Sequence, residues 1–131
     1  MIDIEPYLFT AVKNAVPNKV DCDTSWERTP SSFPRLTLSV EDNSVYEKTI
    51  DSGGNENHVS IMVEVNVYSN KATGKKQECK KIIAKADETL LALGLTRTFL
   101  KPTPNPEDPT VFRMTARYVG VADKDKNIYR R

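Results

Sequence analysis

Between His58 and Tyr68 the chain reads HVSIMVEVNVY, with Val59, Ile61, Val63, Val65 and Val67 at every second position. Strand side chains alternate between faces, so this run puts an aliphatic row on one face. Ser60, Met62, Glu64, Asn66 and Tyr68 fall on the other. β-Branched residues at this period suit a pleated, half-buried strand and not an amphipathic helix. A chain containing such a run builds a sheet with one strongly apolar face, and that face needs a cover.

The flanking sequence supplies both the sheet and the cover. Arg35 to Val40 alternates in the same way, with Leu36, Leu38 and Val40 on one side, and a second short strand is predicted around Val45–Ile50. Asp51-Ser-Gly-Gly-Asn-Glu-Asn57 is a turn of residues that tolerate positive φ, so the strands on either side of it form a long hairpin. A strand from Leu95 to Leu100 precedes KPTPNPEDPT, whose four prolines in ten residues predict a stiff extended loop over 101–110. The last long strand runs from Val111 to Val121. In it Phe112, Met114, Ala116 and Tyr118 alternate with Arg113, Thr115 and Arg117.

Two helices complete the pattern. Over residues 2–16, Ile4, Tyr7, Leu8, Ala11, Val12 and Ala15 share one side until Pro17 ends the run, with Ile2 and Phe9 off that side. Over residues 73–93, Cys79, Ile82, Ile83, Ala86, Leu90 and Leu93 form a core-facing stripe that stops at Gly94, with Leu91 nearly opposite. Residues 17–34 are a polar connector holding the only tryptophan, Trp26. The order predicts one α+β domain over residues 1–131. Its sheet is mainly antiparallel with four to five strands, and two helices pack on one face. The other face carries Met62, Glu64, Asn66, Arg113, Thr115 and Arg117, and is expected to be solvated or an interface.

Composition narrows the function. Nineteen Lys and Arg against eighteen Asp and Glu leave a net charge of +1, which argues against a dedicated nucleic-acid binder. Cys22 and Cys79 are too few and too far apart for a disulfide framework or a metal clip, and read as reduced thiols. The N-terminal MIDIEPYLFTAV carries acids early and lacks a basic region, so no signal peptide is expected, and no apolar run approaches a membrane span of roughly 18 residues. The expected setting is the cytoplasm, or something assembled there.

Four candidate chemistries fail on their residues. His58, the single histidine, borders a strand without the Cys or acidic spacing of a zinc site, and no serine sits in a GxSxG elbow for it to serve. Gly74-Lys75 would end a phosphate-binding loop, yet Ser69 stands where the first glycine belongs and Lys76 where Ser or Thr belongs. Asp123-Lys-Asp125-Lys-Asn127 begins like a calcium loop but has Ile128 at the glycine position. No catalytic, cofactor-binding or metal site is expected. Of Lys71, Lys75, Lys76, Lys80, Lys81 and Lys85, the first three sit near the start of the second helix, with Asp87 and Glu88 toward its end. Both placements oppose the helix macrodipole by about 0.3 kcal/mol or more each, which suits either a solvated face or an acidic partner.

The C-terminal part carries a resemblance. The valine strand ending Val67-Tyr-Ser-Asn70 leads into the lysine-rich helix closing on Leu91-Ala-Leu-Gly94. Arg97-Thr98, the Pro-Asn-Pro-Glu-Asp loop, the Arg113-Met-Thr-Ala-Arg117-Tyr118 strand and the ending Ile128-Tyr129-Arg130-Arg131 follow. In that order, over residues 58–131, the series resembles the tail terminator or head–tail joining proteins of siphophages and Gram-positive prophages; residues 1–57 match in layout only. The resemblance implies a structural virion protein with no enzymatic activity and no cofactor. Such proteins form a ring, usually of six copies, that caps the tail tube, ends its polymerisation and docks it to the head connector. The implied partners are further copies of the chain, the tail tube protein and the connector proteins, with genomic DNA only as passing cargo and no membrane. The implied location is the head-proximal end of the virion tail, assembled in the host cytoplasm.

A ring is a heterologous contact and needs two different surfaces per subunit. The candidates are Asp51, Gly53, Gly54 and Asn55 in one loop, and Pro104, Asn105, Glu107 and Asp108 in the other. Leu91, Arg113 and Arg117 join them, with Tyr129 and Arg130 at the C-terminal end. The alternatives are another small virion protein, in head completion or the tail tube, or a nucleic-acid-binding module using the lysine helix. The aromatic platform that stacks bases is missing from the strands, which disfavours the last.

Overall fold

The computed structural model describes residues 2–24, 33–45, 58–103 and 110–129. Helix α1 spans Glu5–Ala15, and strands β1 Asp21–Asp23, β2 Arg35–Val45 and β3 His58–Ser69 follow. Helix α2 is Lys75–Ala92, and the chain ends with β4 Thr96–Thr103, β5 Phe112–Asp123 and β6 Ile128–Tyr129. Six strands form one sheet in the order β1-β2-β3-β5-β4, with β6 also paired to β5. Only β1 and β2 run parallel; every other pair is antiparallel. The protein is therefore α+β with a mostly antiparallel sheet, larger than the four or five strands expected. The additions are a three-residue and a two-residue strand, too short to show a period.

The valine run works as its alternation requires. Val59, Ile61, Val63, Val65 and Val67 of β3 join Leu36 and Leu38 of β2 and Met114, Ala116, Tyr118 and Ala122 of β5 in one buried core. Leu8 and Val12 of α1 and Cys79, Ile82, Ile83, Ala86 and Leu90 of α2 complete that core. No helix among the described residues is long and apolar enough to cross a membrane.

Several element boundaries differ from the expected ones for identifiable reasons. Helix α1 starts at Glu5, not residue 2, because Pro6 belongs in a first turn and the Asp3 carboxylate takes the Glu5 N–H at 3.2 Å. Ile2 thereby leaves the helix altogether and is buried, while Phe9 packs half-buried against the core. Two strands expected over 35–40 and 45–50 are one strand as far as Val45, bent by a bulge between Val40 and Asp42, and residues 46–50 lie outside the described part. The bend is used: Glu5 Oε2 accepts the Val40 N–H at 2.8 Å, and Asn43 Nδ2 donates to the Ile2 carbonyl at 2.8 Å. The N-terminal segment is thus pinned to β2. Strand β4 runs three residues past Leu100, so Lys101, Pro102 and Thr103 are strand, not loop. Pro102 is tolerated because β4 is the last strand on its side, where a missing N–H costs no ladder bond.

Polar anchors fix α2 on the sheet. The Cys79 thiol lies 3.6 Å from the Val67 carbonyl and 3.5 Å from that of Phe112. Ser69 Oγ donates to Glu78 at 2.6 Å, and Tyr118 Oη donates to Asp87 Oδ1 at 2.7 Å while Arg97 holds Oδ2 at 3.0 Å. Asp87, which opposes the macrodipole, is kept where it ties β5 and β4 to the helix.

Burial pushes the Cys79 thiol up to about 12, with the Glu78 charge adding to it. Burial followed by the Asp87 hydrogen bond raises the Tyr118 phenol well above its ordinary range. The native state therefore keeps protons that the unfolded chain releases from about pH 9 upward, and stability complete below that pH falls as pH rises toward 12. Urea midpoints should drop between about pH 8 and about pH 11, and Cys79→Ala, weaker throughout, should show a shallower drop. A second outcome concerns the turns around α2. Gly74 has φ +79° with nothing within 4 Å of the place a Cβ would occupy, whereas at Gly94, φ +112°, a Cβ would meet the Ile128 carbonyl oxygen at 2.7 Å. Gly74→Ala should cost about 1 kcal/mol in chemical denaturation and Gly94→Ala at least about twice that.

Candidate assembly surface

The sheet face turned away from the valine row is polar, yet much of it is buried: Arg35, Thr37, Asn66, Tyr68 and Thr115 are all inaccessible. Of the residues expected to be solvated or an interface, Asn66 and Thr115 are buried, Met62, Glu64 and Arg113 half-buried and Arg117 exposed, and several of the polar groups are hydrogen-bonded to one another. Asn66 Oδ1 accepts from Thr115 Oγ1 at 2.6 Å and from Arg113 Nε at 3.0 Å. Thr103 Oγ1 donates to Thr115 Oγ1 at 2.6 Å and so ties β4 into the same network. Arg113 lies over the Tyr68 ring at 5.5 Å, and Arg117 over the Phe99 ring at 5.5 Å with Lys101 on that ring at 4.9 Å. The Arg117–Glu64 pair is looser, at 3.9 Å and half-exposed on the arginine side.

The two ends of the sheet differ in charge and shape. At one end Arg35, buried, reaches Asp21 at 2.7 Å and Asp23 at 3.0 Å. Those acids stand two apart on β1, hence on one face, and they draw the three-residue strand onto β2 in parallel register. At the other end β5 carries β4 and β6 in succession along the edge opposite β3, with β4 meeting Arg113 to Val119 and β6 meeting Val121 and Ala122. Along this flank stand Arg97, Lys101 and the exposed large apolar side chains of the described residues, Leu100 at 40% and Tyr129 at 48%. Among the described residues β4 has no second strand partner.

Asp123 closes the turn before β6. Its carboxylate accepts from the Asp125 and Asn127 N–H groups, each at 2.9 Å, and from Tyr129 Oη at 3.0 Å. Those bonds, led by the Asn127 N–H, stabilise the carboxylate and hold its pKa below the usual carboxylate range. The residues that suggested a calcium loop thus build a hydrogen-bonded turn. His58 sits at the start of β3 with its ring edge-on to Tyr129 at 5.7 Å. Among the described residues no group of three or more His, Cys, Asp or Glu is placed to hold a metal ion.

The sequence-derived interface candidates separate accordingly. Arg113 and Arg117 lie on the polar face, the first inside the buried network and the second at its open side. Tyr129 is exposed on the β6 flank, and Leu91 is half-buried against the core, not opposite it. Asp51, Gly53, Gly54, Asn55, Pro104, Asn105, Glu107, Asp108 and Arg130 lie outside the described residues, as does Trp26. Sequence reading missed Leu100, whose exposure depends on β4 being outermost, and the Asp21–Arg35–Asp23 clasp, whose one signal was Asp-Cys-Asp ahead of a strand-opening arginine.

No protein-family model matches the chain, and no curated protein matches it either.

The network predicts unequal costs on the polar face. Asn66→Ala strands the buried Thr115 hydroxyl and Arg113 Nε and should lower stability by about 2 kcal/mol or more. Arg117→Ala should change it by no more than about 0.5 kcal/mol, both read from urea midpoints.

Proposed function

We propose that this chain is a non-catalytic assembly module that closes into a ring of identical copies. In this reading the ring belongs to a phage virion, where it caps the tail tube at its head-proximal end and joins it to the head connector. The observation that carries the assembly part is the β4–β6 flank, where an outermost strand stands beside exposed Leu100 and Tyr129. The phage part rests on the resemblance over residues 58–131.

The flank suits side-chain contact better than strand addition. Pro102, the bulge between Arg97 and Phe99, and the charges of Arg97 and Lys101 all interrupt a regular edge. A ring also needs a second, different surface. The β1 end offers one of opposite sign, with two carboxylates, each nearly half exposed, around one guanidinium. Lys101 on the flank of one copy, set toward the half-exposed carboxylates of Asp21 and Asp23 on the next, is a head-to-tail arrangement that orients neighbours.

Light scattering on a sizing column with negative-stain images is the test. Rings of one size are expected, and Leu100→Glu should shift them toward monomer by roughly tenfold in assembly constant. A chain that stays monomeric at high concentration while shifting duplex DNA at physiological salt would replace this reading with nucleic-acid binding. Labelled protein located on particles separates the head-proximal tail role from head completion or the tail tube.

A further inference from the structure

A cleft of about 490 Å³ lies between α2 and the segment joining α1 to β1. Lys81, Ile82 and Lys85 line it from α2, Pro17 and Lys19 from the connector, and Lys71 from the approach to α2. Residues 78, 81, 82 and 85 recur at helical spacing, so one stripe of α2 forms the wall, beside the stripe that faces the core. The wall's one acid, Glu78, is already engaged, by Ser69 Oγ at 2.6 Å and Lys19 Nζ at 3.5 Å. Among the described residues no carboxylate lies within ion-pairing distance of Lys71 or Lys81, and Lys85 meets Glu88 only at 4.0 Å with both ends exposed.

Four lysines around one concavity repel one another. The α2 core stripe is complete without a lysine, and of the four only Lys19 ties another element to the helix, through Glu78. Like charges lining a cleft focus potential into it and attract an anion. The floor identifies the kind of anion. Pro17, Ile82 and Ala84 make it apolar, and among the described residues it carries neither an aromatic ring to stack a base nor an arginine to fork a phosphate. Its volume lies within the general range of ligand-binding clefts.

We propose that this cleft binds a peptide segment of a partner protein, with an apolar side chain on the floor and flanking Asp or Glu carboxylates on the lysines. The site shares no residue with the β4–β6 flank, so it stands or falls separately from ring formation.

The test uses the full chain and fluorescence anisotropy with a labelled peptide of repeated Glu-Glu-Leu. The comparison probes are polyglutamate of equal length, a Lys-Lys-Leu counterpart and a single-stranded oligonucleotide. Saturable binding of the Glu-Glu-Leu peptide is expected, with polyglutamate and the oligonucleotide each weaker by roughly tenfold or more. Lys81→Glu with Lys85→Glu, both exposed and outside the core, should leave the circular dichroism unchanged, weaken that peptide by roughly tenfold and admit the Lys-Lys-Leu peptide instead. Absence of saturable binding, equal affinity for polyglutamate or the oligonucleotide, or binding untouched by the charge reversal would each overturn the proposal.

Discussion

Strand β3 is hydrogen-bonded along both edges, and its pairing with β5 runs unbroken from His58 opposite Asp123 to Ser69 opposite Phe112. A slip of one residue would turn the valine row outward and bring Glu64 and Asn66 into the core, so the register is held by the whole burial energy of that face. From it follow the positions that matter on both sides. Tyr118 reaches Asp87 of α2 because it sits across from Val63, and Asn66 lies between Thr115 and Arg113 because Thr115 is its direct partner.

The two faces then handle polar groups differently. On the helix side the polar contacts are separate from one another and join an element to the sheet: Glu5 to Val40, Glu78 to Ser69, Asp87 to Tyr118 and Arg97. On the far side the groups form a connected layer through Asn66, Thr115 and Thr103, with Arg113 and Arg117 spread over aromatic rings. Such a layer adds little net energy per bond, but removing one member strands its neighbours. It therefore enforces the order β3-β5-β4 more than it adds to stability.

The parts of the fold legible in the sequence are those with a period. The valine strand, the Phe112–Tyr118 alternation and the α2 stripe declare themselves because burial acts on every second or every third to fourth residue. The parts that were not legible lack a period. β1 exists because two aspartates grip Arg35, β2 continues through a stretch of polar residues because a bulge absorbs them, and β4 outlasts its proline because nothing beyond it needs an N–H. The same limit governs the surface. Arg117 and Tyr129 could be placed on a face from alternation and position, whereas the exposure of Leu100 and the burial of Thr115 depend on which strand is outermost.

That asymmetry bears on how the chain would meet its partners. An outermost strand invites uncontrolled pairing unless it is interrupted, and β4 is interrupted three ways, by a bulge, a proline and basic side chains. What remains is a side-chain surface on which Leu100 and Tyr129 are exposed beside Lys101. The lysine cleft lies between α2 and the connector that leads into β1, and it shares no residue with the β4–β6 flank.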